Sequence, residues 1–249
     1  MARQGNQPLS AIGAALTQPA ALGAGGDIWA VHANIPAMKL IRPLFALFAL
    51  VVLAGLPAAA HAADKLVLAF GDSLTAGYQL PPGKGFAPQL EAALRKSGVA
   101  ARVHNAGVSG DTTAQGRARL GWVLASLKSK PDLAIVELGA NDMLRGLDPA
   151  QAQANLDAIL AELRRRGIPV LLAGMVAAPN LGDNYSRRFN PIYGRLAAKY
   201  RTGLYPFFLA GIVGQRSLHI GDALHPNERG VSVIVKGILP QVRQQLTSR

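Results

Sequence analysis

Leu66-Val67-Leu68-Ala69-Phe70-Gly71-Asp72-Ser73-Leu74-Thr75 decides how this chain is read. A run of apolar residues bounded by a glycine predicts a buried strand. It stops at Gly71-Asp72-Ser73, which delivers a serine hydroxyl to the carboxyl edge of a sheet. That edge is where open α/β sheets place their ligands. Four common residues recur by chance, so the motif alone says little. Its weight comes from three later segments in order: Ser109-Gly110-Asp111-Thr112, Gly139-Ala140-Asn141-Asp142 and Asp222-Ala223-Leu224-His225-Pro226. Together they hold a nucleophile, oxyanion donors and an acid–base pair, the inventory of an acyl-transfer site.

Working outward, strands and helices alternate. Strands are expected at Leu66–Phe70, Arg102–Asn105, Leu133–Leu138, Val170–Leu172 and near Leu204. Helices are expected at Phe86–Ser97, Thr113–Lys128, from Asp148-Pro149 to Gly167, and around Phe189–Tyr200. Asp148 reads as an N-cap with proline at the first helical position, and Gly167 as the stop. A last helix carries Val231, Ile234, Val235, Ile238, Val242 and Leu246 at helical spacing, and Pro240 inside it should kink it. The stretch Ala177–Ser186, with its proline, glycine and asparagines, reads as an irregular loop. This order predicts an α/β class with a parallel sheet covered on both faces.

The chain of 249 residues is half apolar, 16% charged and carries a net charge of +12. That suits one domain with a large core and argues against disorder. No nucleic-acid-binding signature accompanies the basic charge, so nucleic acid is not an expected partner, whereas peripheral contact with anionic lipid is. Cysteine is absent, which excludes disulfides, thiolate metal sites and a cysteine nucleophile.

Residues 38–62 read as a secretory leader. Lys39 and Arg42 precede the apolar run Leu44–Leu56, Pro57 breaks it, and Ala60-His61-Ala62 is a small-x-small cleavage site. An uncleaved anchor over Leu44–Ala60 is the rival reading. Residues 1–37 are either an over-extended start or a low-complexity extension. The expected domain is then 63–249, placed in the periplasm or outside the cell, and most of the positive charge is its own.

Ser73 is either a nucleophile or a helix-capping serine. Of the five histidines, His32 and His61 fall in or before the leader, His104 in a strand, and His219 in a loop with no distinctive neighbour. His225 differs, because Asp222 three residues earlier can fold back onto the imidazole and fix its tautomer. A surface ion pair is the alternative. Gly110, in a tight turn, offers a backbone N–H, and Asn141, at the end of the best-defined strand, offers a neutral side-chain donor. Each could equally be an ordinary turn residue. Asp72, Asp111 and Asp142 are read as carboxylates that satisfy nearby backbone N–H groups.

As a set, Gly71–Tyr78, Asn105–Thr112, Val136–Asp142, Pro206–Leu209 and Asp222–Asn227 resemble the SGNH hydrolases, the GDSL esterase/lipase superfamily. The likeness covers about Leu66 to Leu246 and points to its thioesterase, lysophospholipase and arylesterase branch. It implies a flavodoxin-like three-layer α/β/α sandwich with a mainly parallel five-stranded sheet. It implies Ser73 as nucleophile, His225 as base and Asp222 as its orienting acid. The oxyanion hole would be the N–H groups of Ser73 and Gly110 with the side chain of Asn141. It further implies no metal or cofactor, small acyl esters or thioesters as substrates, and a monomer. A carbohydrate acetylesterase is the nearest rival, and a non-catalytic binding module on the same fold a more distant one. Ala223 and Ala140 stand where the family more often has glycine, and Ala177–Ser186 resembles its mobile substrate loop with differences in detail.

Overall fold

A computed structural model describes residues 64–248, so the leader expected at 38–62 and the segment before it lie outside the described residues. Five strands run parallel in the order β2-β1-β3-β4-β5: β1 Lys65–Gly71, β2 Ala101–Gly107, β3 Leu133–Glu137, β4 Val170–Ala173 and β5 Gly203–Tyr205. All five residues of β3 and the last five of β1 are buried. Both strands are covered on two faces, which is why they read as continuous apolar runs. The edge strand β2 exposes Arg102, His104 and Asn105.

Among the described residues eight α-helices accompany the sheet: α1 Ser73–Ala76, α2 Phe86–Lys96, α3 Thr113–Ser126, α4 Ala140–Leu144, α5 Pro149–Arg165, α6 Gly182–Phe189, α7 Pro191–Tyr200 and α8 Glu228–Thr247. The chain leaves β1 toward β2, then crosses to β3 on its other side. Helix α2 therefore packs with α8, while α3 packs with α5, giving three layers. The crossover opens a crevice at the carboxyl ends of β1 and β3, and Ser73 and Asn141 follow those two ends. Among the described residues no helix is long and apolar enough to cross a membrane.

Two local expectations need correcting. Asn141 does not end a strand, because β3 stops at Glu137 and Asn141 lies in the first turn of the short helix α4. Second, the segment expected as an irregular loop is mostly ordered: a 3-10 turn at Pro179–Leu181 leads directly into α6. Gly182 joins the two at φ +79, a conformation that costs glycine little. Stacking of Tyr185 on Phe189 and a hydrogen bond from the Tyr185 hydroxyl to the Leu147 carbonyl hold the helix down. Helix α8 holds Pro240 inside it, on the exposed side, where solvent can meet the carbonyl that loses its N–H partner.

Candidate active site

Ser73 opens α1 immediately after β1, and the cap of that helix is not Ser73 but Asp72, whose Oδ1 accepts the Leu74 N–H at 3.0 Å. The serine hydroxyl is thus released from capping. Gly71 is required here by space: a Cβ would fall 2.1 Å from Thr75 Oγ1 and 2.6 Å from Glu137 Oε2.

His225 arrives from a separate element 152 residues later and sets Nε2 2.9 Å from Ser73 Oγ. Its Nδ1 lies 2.6 Å from Asp222 Oδ2. The other oxygen of Asp222 accepts the backbone N–H groups of Leu224 at 2.9 Å and His225 at 3.0 Å. This tight turn forces Ala223 to φ +57, the left-handed region where glycine is at ease and alanine costs about 1 kcal/mol. That accounts for the family's more frequent glycine. Partial burial pushes the Asp222 carboxyl up, but the His225 N–H, its ring and the Leu224 N–H outweigh it and hold the group at about 2. Tyr78 packs its ring against His225 at 4.6 Å between centroids.

Gly110 follows β2 at φ +87, and its N–H donates to no acceptor among the described residues. Its carbonyl is held by Arg145 Nη2 at 2.7 Å. The Asn141 amide lies beside the same space, but its nitrogen already faces two acceptors, Asp72 Oδ2 at 3.1 Å and the Asp111 carbonyl at 3.0 Å. An oxyanion would have to share or displace one of these bonds.

Beneath the serine sits a buried acid cluster. Glu137 is fully buried; its Oε2 accepts the Thr75 hydroxyl at 2.7 Å and the Asp72 N–H at 3.4 Å, while its Oε1 has no partner. Burial, then the charge of Asp72, pushes the Glu137 carboxyl well above its usual range. Burial likewise raises Asp72 to about 6, against the opposing hydrogen bonds from the Leu74 N–H and Asn141. The three aspartates expected to satisfy only local N–H groups divide. Asp72 does so and also reaches Asn141. Asp142 instead accepts the Thr113 N–H at 2.8 Å and its hydroxyl at 2.6 Å, tying α4 to α3. Asp111 pairs with Arg119 at 2.5 Å, and Arg119 also donates to the Gly71 carbonyl at 2.9 Å.

The structure therefore brings Ser73, His225, Asp222, Gly110 and Asn141 to one edge, whereas His104 is exposed on β2. Three of them, Ser73, Asn141 and His225, line a cavity of about 420 Å³ with walls from Met143, Met175, Val176, Phe207, Leu209 and Val213. His219, which the sequence reading passed over, also lines it, and only the start of the expected substrate loop, Ala177–Pro179, does so. Nothing local marked His219; only the turn that brings Ile220 N–H to the His225 carbonyl places it there. Among the described residues no cluster of three or more histidines or carboxylates is arranged to hold a metal ion.

Residues 69–233 match the GDSL-like Lipase/Acylhydrolase family. Esterase TesA of Pseudomonas aeruginosa is 39% identical over 186 residues, covering 75% of this chain and 92% of that protein. Thioesterase 1/protease 1/lysophospholipase L1 of Escherichia coli is 33% identical over 184 residues, covering 74% of this chain and 86% of that protein. Among solved structures, AlinE4, an SGNH-hydrolase family esterase, is 52% identical with a TM-score of 0.64 and covers 74% of this chain and 98% of its own. The match runs from within β1 into α8 and reaches all five strands. The chain thus belongs to the GDSL-like lipase/acylhydrolase family, within the SGNH hydrolases.

Proposed function

We propose that the protein hydrolyses acyl esters and thioesters through a Ser73–His225–Asp222 triad and a covalent acyl-enzyme. The observation that carries this reading is the 2.9 Å approach of His225 Nε2 to Ser73 Oγ at the mouth of an apolar cavity. His225 takes the serine proton as Oγ attacks the acyl carbon, and Asp222 stabilises the imidazolium that results. The oxyanion forms within reach of the Ser73 and Gly110 N–H groups and the Asn141 amide. His225 then passes the proton to the departing alcohol or thiol, and water, activated by the same base, cleaves the acyl-enzyme.

The cavity walls favour an alkyl or aryl acyl group, which fits arylesters, acyl thioesters and lysophospholipids. An acetyl group on a sugar would leave most of the apolar volume unfilled, so the carbohydrate acetylesterase reading has less support. The same proposal includes export: residues 38–62 as the leader and 63–249 as the working domain, with Ala63 found by N-terminal sequencing of the exported protein. An intact Leu44–Ala60 segment in the membrane fraction would reject cleavage.

The test of the hydrolase reading is Ser73→Ala. A fluorophosphonate should label the wild type at one residue and the variant not at all. Hydrolysis of p-nitrophenyl esters should fall by at least about 10⁴-fold with the circular-dichroism spectrum unchanged. Labelling that persists in Ser73→Ala would overturn the assignment.

A further inference from the structure

Helix α3 carries an outward face that the hydrolase site does not use. Gly116 and Leu120 are buried against the sheet side, while Ala114, Ala118, Gly121, Trp122 and Ala125 are exposed on the other. These exposed positions recur at three- and four-residue spacing, so they form one stripe along the helix. A surface helix ordinarily places charged and polar residues there. Trp122 is 84% exposed, more than any other large hydrophobic side chain among the described residues.

The surroundings of this stripe are basic. From Thr112 to Pro131 the chain has no acid and carries Arg117, Arg119, Lys128 and Lys130. Arg119 is turned inward onto Asp111. Arg117 meets only the neutral side chain of Asn155, and Lys128 and Lys130 form no ion pair among the described residues. At the foot of the helix, Lys128 and Lys130 border a groove of about 450 Å³ whose apolar wall is Leu124, Leu127 and Ile168.

We propose that this face docks the protein onto an anionic lipid bilayer, with Trp122 entering the headgroup region and Arg117, Lys128 and Lys130 meeting lipid phosphates. An indole is suited to that depth because its ring is apolar and its N–H stays wet. Each cation near an anionic surface strengthens binding roughly fivefold, so three acting together supply on the order of a hundredfold. A second copy of the chain fits this face poorly. A two-fold contact would set Arg117, Lys128 and Lys130 against the same cations of its mate. A membrane brings only the opposite charge. Helix α3 begins beside Asp142 at the catalytic crevice, and Trp122 lies about 14 Å along its axis from that end.

Trp29 and Trp122 are the chain's two tryptophans, so Trp29→Phe leaves Trp122 as the sole tryptophan. That protein, recovered as the cell makes it, is mixed with phosphatidylcholine vesicles containing about a third phosphatidylglycerol, at low and high salt. We expect a blue shift of Trp122 emission and co-sedimentation, both weakened by salt and absent with pure phosphatidylcholine. In the full chain, Trp122→Gln and the Lys128→Glu/Lys130→Glu pair should each weaken co-sedimentation about tenfold or more, with hydrolysis of a soluble p-nitrophenyl ester and the melting temperature unchanged. Any binding contributed by the N-terminal segment is common to all variants and cancels. No shift on anionic vesicles, or equal co-sedimentation of Trp122→Gln, would overturn the proposal. So would a shift that grows with protein concentration in the absence of lipid, which would mark the face as a contact between copies.

Discussion

Asp222 meets His225 and Asp72 directly precedes Ser73, and the two have opposite electrostatic characters. Asp222 sits in a half-open surface turn, takes three hydrogen bonds from Leu224 and His225, and is held at about 2. Asp72 lies fully buried at the end of β1, takes hydrogen bonds from Leu74 and Asn141, and is raised to about 6. Both are well supplied with donors. Burial makes the difference, since desolvation acts on Asp72 together with the nearby charge of Asp111. The lesson is that being next to Ser73 in sequence does not make an acid the electrostatic partner of the Ser73–His225 pair. The carboxylate suited to stay ionised opposite a developing imidazolium is the one kept near water.

The comparison is most easily broken at Asp222. Asp222→Asn keeps the shape but removes the charge and the tautomer control, so kcat should fall on the order of 10⁴-fold, as for the analogous change in the serine-protease triad. KM should change little and every ester should suffer alike, because Asp222 touches no substrate. A loss smaller than about tenfold would reduce Asp222 to a surface ion pair.

A smaller effect is expected on the buried side. Asn141→Ala should lower kcat by about 100- to 1000-fold, the usual cost of one oxyanion donor, with KM little altered. It also strips Asp72 of a hydrogen bond that lowers its pKa, so an Asp72 titration now at about 6 should move upward. NMR of the carboxyl carbon would follow it. An unchanged kcat would leave Asn141 as a support for Asp72 and nothing more.

Much of this was legible in the chain. The central strands showed themselves because burial on both faces writes an unbroken apolar run, and the motifs after β1, β2 and β3 pointed to Ser73, Gly110 and Asn141 in turn. Asp222 was legible because its contact with His225 is local, three residues apart. What stayed hidden depends on long-range contacts that leave no local period. The Thr113–Asp142 tie spans 29 residues and the Thr75–Glu137 bond 62. Likewise α6 was hidden because Pro179, Gly182 and Asn184 are turn formers by themselves. Its helix depends on the packing of Tyr185 against Phe189 and on the grip of Asn190 Oδ1 on the Ala177 N–H at 2.8 Å.

The finest test addresses Glu137, which stands in a strand read as apolar and is the deepest of the buried acids. Its carboxyl is raised well above the ordinary 4.5, so the fold favours the protonated form. That preference stabilises the protein fully below 4.5 and is lost as pH rises through the elevated folded value. Glu137→Gln keeps an oxygen to accept the Thr75 hydroxyl and the Asp72 N–H but cannot ionise. At about pH 4 the two melting temperatures should agree within about 4 °C, the equivalent of roughly 1 kcal/mol for a domain of this size. As pH rises, the wild type should lose stability that the variant keeps, so the variant's relative melting temperature should climb by a few degrees. Differential scanning calorimetry across that range reads the difference directly. Parallel curves for the two proteins would mean that Glu137 holds no buried proton.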